Sequence, residues 1–469
     1  MEVENASERG AGALLWRVGE RALLPICVFS MALALPYNVN GDGAARFDAL
    51  DALLRYGVLS TSRYSLIGPL FSAPLYLLGA ALGYAEGGVA FFNLTVFILG
   101  LIAFHLLLRR HLEPGTLRRF LLLLTVGSMF PAALASYYGE TFTAIMVAAG
   151  LAAALLATQR AGRVAGWAAV ALGVANTPAT LLGLALALLG RVWARRRLRY
   201  ALVGAGALAL IAGESLARRG ALFATVYTSN AGAKTIMPYS GLPGFSYPFL
   251  LGVVAILLSF GKGLLFYTPG LFLPLKGRLQ ALGERGAALW RLHASWLLFV
   301  TGLVLIYASW WDWGGDWFWG PRFFLIASVP ASLALAIWVS RPSPRLWLNL
   351  LALGLLTLAI WVGVDGAIFN QADLQVCQVN HYQYGAFCDF TLEFSALWRP
   401  LINLSLYGPG ATFAHVESFQ PRAVLLALCA PLAWLSIAAP LLRAIASQMR
   451  ALVVALWPLA LKLRTGWRW

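Results

Sequence analysis

Four acids and two cations stand where an otherwise apolar chain has no structural need for charge. Asp42 lies in NGDG, where flanking glycines let the backbone turn tightly and present a carboxylate at a cavity mouth. Asp48 and Asp51 follow in ARFDALDALLRYG, three apart on an amphipathic helix, with Arg46 and Arg55 in helical register. Glu140 opens an apolar run, Lys262 interrupts another within LLSFGKGLLFYTPG, and Arg322 closes GGDWFWGPR at the start of a third. Ionisable groups at membrane depth are costly, so each is first read as functional. Two cations on the same face as several carboxylates fit a phosphate held beside a general base. The plainer alternatives are a solvated helix face for Asp48 and Asp51, and snorkelling side chains for Lys262 and Arg322.

The stretch WWDWGGDWFWGPRFF, residues 310 to 324, packs five tryptophans, two aspartates, three glycines and an arginine between two apolar runs. Tryptophan and tyrosine form belts at membrane interfaces, and a sugar ring stacks well on the same faces. Trp311, Trp313, Asp316 and Trp319, together with Tyr64, Tyr138 and Lys234, are therefore expected to line a cavity. Pro321 suits the first turn of the next helix and would aim Arg322 into that cavity.

The elements that must position these groups are membrane helices. Of 469 residues, 60% are hydrophobic and only 12% charged, with mean hydropathy +0.75, which places the chain among polytopic membrane proteins. Apolar runs of spanning length fall near 17 to 37, 88 to 108, 118 to 137, 141 to 158, 199 to 217, 247 to 275, 293 to 310, 322 to 340, 346 to 366 and 421 to 442. Residues 163 to 190 are read as two short helices turned at Thr177, because Pro178 disfavours helix before it. Residues 64 to 84, interrupted by Pro69, Pro74 and several glycines, are read as a juxtamembrane or re-entrant element on the outer side. The result is an all-α protein of about twelve spans.

With the N-terminus inside, the basic stretches 109 to 119, 191 to 199, 276 to 291 and 340 to 345 are cytoplasmic, and most acids are exported. That is the positive-inside pattern, so the net charge of +16 needs no nucleic-acid partner. Residues 1 to 366 form the expected catalytic membrane module, 367 to 420 a small exported segment, and 421 to 469 a last span with a basic tail. No cleavable signal is evident at the N-terminus, which leads into a full-length span.

No CxxC, HExxH or His/Cys cluster suggests a metal site, and SFGKGLL lacks the upstream glycine and the Ser/Thr of a nucleotide-binding loop. No cofactor is called for, with Mg²⁺ or Mn²⁺ assistance left open. Cys27 and Cys429 sit in apolar runs as small hydrophobes, whereas Cys377 and Cys388 share one polar segment and can pair as a disulfide if it is exported.

The order of NGDGAARFDALDALLRYG, RYSLIGPLFSAPLYLLG, PAALASYYGETF, LLSFGKGLLFYTPG and WWDWGGDWFWGPRFFLIASVP resembles the GT-C superfamily of polyprenyl-phosphate-sugar-dependent glycosyltransferases. It is most similar to the protein-mannosyltransferase-like branch, family 39, which includes the lipid A aminoarabinose transferases. The resemblance runs from about residue 20 to 340. It implies transfer of a sugar from a polyprenyl-phosphate donor to a lipid, glycan or protein acceptor outside the cell membrane, and inversion follows if the attack is a single displacement. It also implies Asp42 as base, Glu140 as a second acid, and Lys262 and Arg322 as phosphate ligands. The family's adjacent acidic pair is here a single Asp between glycines, which leaves the base between Asp42 and Asp48. A large exported C-terminal domain is also missing, which leaves the acceptor open. The rivals are a flippase for lipid-linked saccharides, which predicts an internal repeat and midplane polar groups, and an O-antigen-type ligase, which predicts a larger exported loop.

Overall fold

The computed structural model describes residues 21–195, 200–224, 230–315, 318–369, 377, 383–414 and 421–465. Over these the protein is a polytopic, all-α membrane protein with isolated β-bridges and no strand. Seven of the described helices are long and apolar enough to cross a membrane.

Five of the expected spans are apolar helical segments of spanning length: Ala85–Leu108, which is interrupted once at Phe91, and the unbroken Gly139–Leu156, Ala201–Arg219, Gly283–Tyr307 and Leu346–Ile368. The run at 322 to 340 is also unbroken, but enters as a 3-10 turn over Arg322–Ala327 before α-helix Ser328–Ser340. The 163 to 190 segment divides at Thr177, as its proline requires, into Arg160–Asn176 and Leu181–Arg195. The 64 to 84 element is a helix over Ile67–Ala81, at ~1.5 Å per residue about 22 Å long and short of a hydrocarbon core of about 30 Å.

Two expected spans are not single helices. The 118 to 137 run stops at Val126; after Gly127, Ser128 and Met129 only the short turn Phe130–Leu134 remains. The 247 to 275 run is helical only over Phe249–Leu258. Gly261, Gly263, Pro269 and Gly270 then reduce it to Leu264–Tyr267 and the 3-10 turn Pro269–Phe272. Hydropathy reports burial but not backbone continuity, so both runs looked uniform in sequence. At the other extreme, the last helix is Pro421–Thr465, longer than the expected 421 to 442.

Apolar burial cannot by itself drive helices together in lipid, so close approach through small residues matters. A Cβ on Gly166 would lie 2.6 Å from the Gly150 carbonyl oxygen, and one on Gly302 would lie 2.4 Å from the Gly183 Cα. These contacts join Gly139–Leu156 to Arg160–Asn176, and Leu181–Arg195 to Gly283–Tyr307. At one end of the bundle, Asn176 ties three elements together. Its Oδ1 accepts from the Gly68 amide at 3.0 Å and its Nδ2 donates to the Gly139 carbonyl at 3.0 Å. That end carries Asp42, Glu140 and Arg322.

Candidate active site

Asp42 is positioned by backbone pairing. The Asn38 amide donates to the Ala135 carbonyl at 2.9 Å and the Tyr137 amide to the Asn38 carbonyl at 3.2 Å, pinning the first loop to the segment before Glu140. Gly41, at φ 50°, makes the turn that starts helix α1 (Asp42–Tyr56). Asp42 thus stands in the first turn of α1, as Glu140 does in the first turn of Gly139–Leu156, where the helix dipole favours a carboxylate.

Arg322 joins the two acids. Its Nη1 donates to Asp42 Oδ2 at 2.9 Å, and its Nε lies 3.8 Å from Glu140 Oε1. That Nε is buried without a hydrogen-bond partner among the described residues. The guanidinium also lies 5.1 Å from the Tyr138 ring centre. Asp42 Oδ1 accepts from the Tyr64 hydroxyl at 2.5 Å, which in turn accepts from Arg63 Nη2 at 2.7 Å. Burial pushes the Asp42 carboxyl up, but the Arg322 charge, the Tyr64 hydroxyl and the Arg46 charge outweigh it and hold the group below the usual carboxylate range. Burial and the Asp42 charge keep the Tyr64 hydroxyl protonated well above its ordinary value.

Three supports were not singled out by sequence. Arg46, one helical turn after Asp42, is buried, stands 5.0 Å from the Tyr64 ring centre and has a buried Nε without a hydrogen-bond partner among the described residues. Gly139 makes room for it, since a Cβ there would meet Arg46 Nη2 at 2.7 Å. Glu214 and Arg218, at the end of Ala201–Arg219, hold the Tyr64 loop. Glu214 accepts from Ser65 Oγ at 2.7 Å, and Arg218 donates to the Ser60 and Tyr64 carbonyls at 2.7 Å each. Their signal was a Glu and an Arg four apart near the end of an apolar run.

Other expected site residues lie elsewhere. Asp48, six residues past Asp42, is exposed on α1, whereas Asp42 is half-buried against Arg322. Lys262 is buried and donates to the Phe318 and Gly320 carbonyls, bracing the tryptophan stretch two residues before Arg322. Trp319 is fully buried and donates from Nε1 to Asp365 Oδ2 at 2.6 Å, so it anchors the stretch and does not line a cavity. Lys234 donates to the Pro238 and Ser240 carbonyls and closes its own loop. Asp316 lies outside the described residues. Cys377 and Cys388 are joined as a disulfide with Cα atoms 6.1 Å apart, and Cys27 and Cys429 are buried and free.

Two clefts border this centre. One, of about 300 Å³, is lined by Glu140, Thr143 and Thr180 and by the apolar Phe299, Leu303 and Phe323. The other, of about 750 Å³, includes Trp311, Asp312 and Trp313 in its wall. That wall adjoins Gly315, whose missing Cβ would lie 2.7 Å from Arg322 Cγ. Among the described residues no three of His, Cys, Asp and Glu group closely enough to hold a metal.

No protein-family model matches the chain, and no curated protein sequence does. Solved structures do. ArnT from Cupriavidus metallidurans in the apo state aligns at TM-score 0.50 and 17% identity, covering 95% of this chain and 80% of that one. ArnT from the same organism bound to undecaprenyl phosphate aligns at TM-score 0.49 and 18% identity, over 96% and 80%. At such identity the likeness speaks for architecture alone: over most of its length the chain shares the fold of ArnT in the apo state.

Proposed function

We propose that the protein is a membrane glycosyltransferase that moves a sugar from a polyprenyl-phosphate carrier to an acceptor hydroxyl on the extracytoplasmic side of the cell membrane. One observation carries this reading. A carboxylate from the start of the chain and a guanidinium 280 residues later meet at 2.9 Å, beside a second carboxylate that lines a cleft. The positive-inside distribution of charge supports the orientation.

In this reading the carrier phosphate lies against Arg322, whose open Nε offers it a donor. The anion competes with Asp42 for the guanidinium, and the carboxylate regains basicity as Arg322 turns to the phosphate. Asp42 then takes the acceptor hydroxyl proton. The acceptor oxygen bonds to the anomeric carbon as that carbon's bond to the phosphate oxygen breaks, releasing polyprenyl phosphate. A single displacement of this kind inverts the anomeric centre. General-base assistance contributes roughly 10²- to 10⁴-fold and electrostatic stabilisation of the leaving phosphate a comparable factor. Tyr64 keeps its proton and orients Asp42, while Arg46 adds positive potential.

The test is release of undecaprenyl phosphate from undecaprenyl-phosphate-linked sugars by the purified protein in nanodiscs with mixed acceptors. Release that depends on acceptor is the expected result. No release from any donor, or undiminished release by Asp42→Asn, would overturn the reading.

A further inference from the structure

Helix Ala201–Arg219 presents much of its surface outward. Leu202, Leu208, Leu210 and Leu216 are exposed, and its buried residues are Ala207, Ser215 and Arg218. An arginine only 5% exposed at the end of such a helix is costly unless its donors are answered. Four hydrogen bonds answer this one. Nε donates to the Ser60 carbonyl at 2.7 Å, Nη1 to the Tyr64 carbonyl at 2.7 Å and to Glu214, and Nη2 to the Ser62 carbonyl at 3.1 Å. Arg219 adds a second donor to the Ser62 carbonyl at 2.7 Å. Glu214 takes the next groups along, the Ser65 hydroxyl at 2.7 Å and the Leu66 amide at 2.6 Å. An ion pair that only closed the helix end would need no loop. Here the helix end grips the 60–66 loop by its main chain, at the alternate carbonyls 60, 62 and 64.

We propose that Arg218 and Glu214 are positioning residues for the transfer: they fix the 60–66 loop so that the Tyr64 hydroxyl stays on Asp42. The role of Asp42 rests on the transferase reading above; the clamp rests on the contacts. Tyr64 is held at both ends, its carbonyl by Arg218 and its hydroxyl by Asp42 at 2.5 Å. Hydrogen bonds tolerate only a few tenths of an ångström, so a released loop would lose the second contact with the first. Asp42 is also faced by Arg46 from its own helix and by Arg322, on which Glu140, Asp312 and Tyr138 act in turn, and Arg63 stands on Tyr64. The Tyr64 hydroxyl is one of the groups that hold the Asp42 carboxyl low, so loosening the loop lets that carboxyl rise.

The experiment is a pH titration of the full-length protein carrying Arg218→Lys. This variant keeps the charge but offers one donor centre where the guanidinium fork meets three carbonyls. Two readouts are followed: the acid limb of kcat/KM for carrier release, and the infrared carboxylate band of Asp42, assigned by its absence in Asp42→Asn. Both should move up by about one pH unit, the scale of one hydrogen bond to a charged group. Tyr64→Phe should move them equally, and the double variant no further, because both changes cut the same contact. Affinity for a fluorescent polyprenyl phosphate should stay within about twofold of wild type, since Arg322 is untouched. A lower melting temperature with both titrations in place would mark a merely structural pair and overturn the proposal, as would additive shifts in the double variant. If Arg218→Lys does not fold, Glu214→Gln is read for the same shifts. An unmoved band, with release that Asp42→Asn abolishes, retires the clamp and leaves the transferase reading intact. A moved band in a protein that releases no carrier keeps the clamp and retires the transferase.

Discussion

Asp42→Asn should separate two properties that normally fall together: phosphate affinity rises while turnover collapses. The Arg322 to Asp42 contact is 2.9 Å long, with side chains 10% and 26% exposed. Unit charges about 4 Å apart interact by about 4 kcal/mol at an effective dielectric of about 20. Partial exposure of Asp42 cuts that to roughly 1.5 kcal/mol. Asparagine keeps one acceptor oxygen, enough for Tyr64 or Arg322 but not both, and gives up the charge, so a phosphate no longer competes with an anion for the guanidinium. At about 1.4 kcal/mol per factor of ten, affinity for undecaprenyl phosphate should rise about tenfold. Turnover should fall by roughly 10² to 10⁴, the contribution of a general base. Affinity is read by displacement of a fluorescent polyprenyl phosphate and turnover by carrier release from the sugar-linked donor. Weakened phosphate binding in Asp42→Asn would refute the competition between carboxylate and phosphate, and unchanged turnover would remove Asp42 as base.

The same competition predicts a pH signature. Because the Asp42 carboxyl is held low in the folded, unliganded protein, its contribution to stability is present above the ordinary aspartate value of about 3.9 and is lost as pH falls through its lower folded value. The acid limb of kcat/KM, which reports free enzyme, should therefore lie below the acid limb of kcat, measured with Arg322 engaged by donor; coincident limbs would count against the mechanism. Gly315→Ala places a Cβ 2.7 Å from Arg322 Cγ at φ +87°, at a cost of about 1–3 kcal/mol, and should lower donor affinity; a wild-type KM for donor would show that Arg322 is not held there. Trp319→Phe removes the bond to Asp365 and should destabilise the fold by about 1.5–3 kcal/mol in thermal melts while leaving donor affinity unchanged.

Much of the architecture was legible because a bilayer forces backbone groups to be satisfied within helices, which makes spans readable from length and hydropathy. The break at Thr177 was legible from Pro178. The breaks after Val126 and Leu258 were not, since their interrupting residues are small or apolar apart from Lys262, and one charge leaves the hydropathy run intact. At the site, Asp42, Glu140 and Arg322 were identifiable because charge is conspicuous in such a chain. Lys262 carried the same signal and Trp319 an aromatic one, yet one caps carbonyls and the other anchors the core. Sequence shows that a buried charge must be satisfied but not whether a backbone oxygen does so. Arg46 was hidden by its company, sharing α1 with charges that are solvated.

The positions of the broken backbone are themselves informative. Asp42 follows the turn at Gly41, Glu140 follows the broken 127 to 138 stretch, Lys262 lies in the gap after Leu258, and Arg322 follows Gly314, Gly315 and Gly320. Irregular backbone at membrane depth leaves polar groups that lipid cannot satisfy, so it persists only where it is buried in protein or lines a wet cavity. Lys262 shows the first case, its ammonium answering the Phe318 and Gly320 carbonyls. Asp42, Glu140 and Arg322 show the second, because they answer one another where Glu140 lines a cleft. Breaks that satisfied only themselves would need no such convergence. Four of them supply charge to one end of the bundle, which is how a fold made of continuous helices builds a polar centre at its boundary.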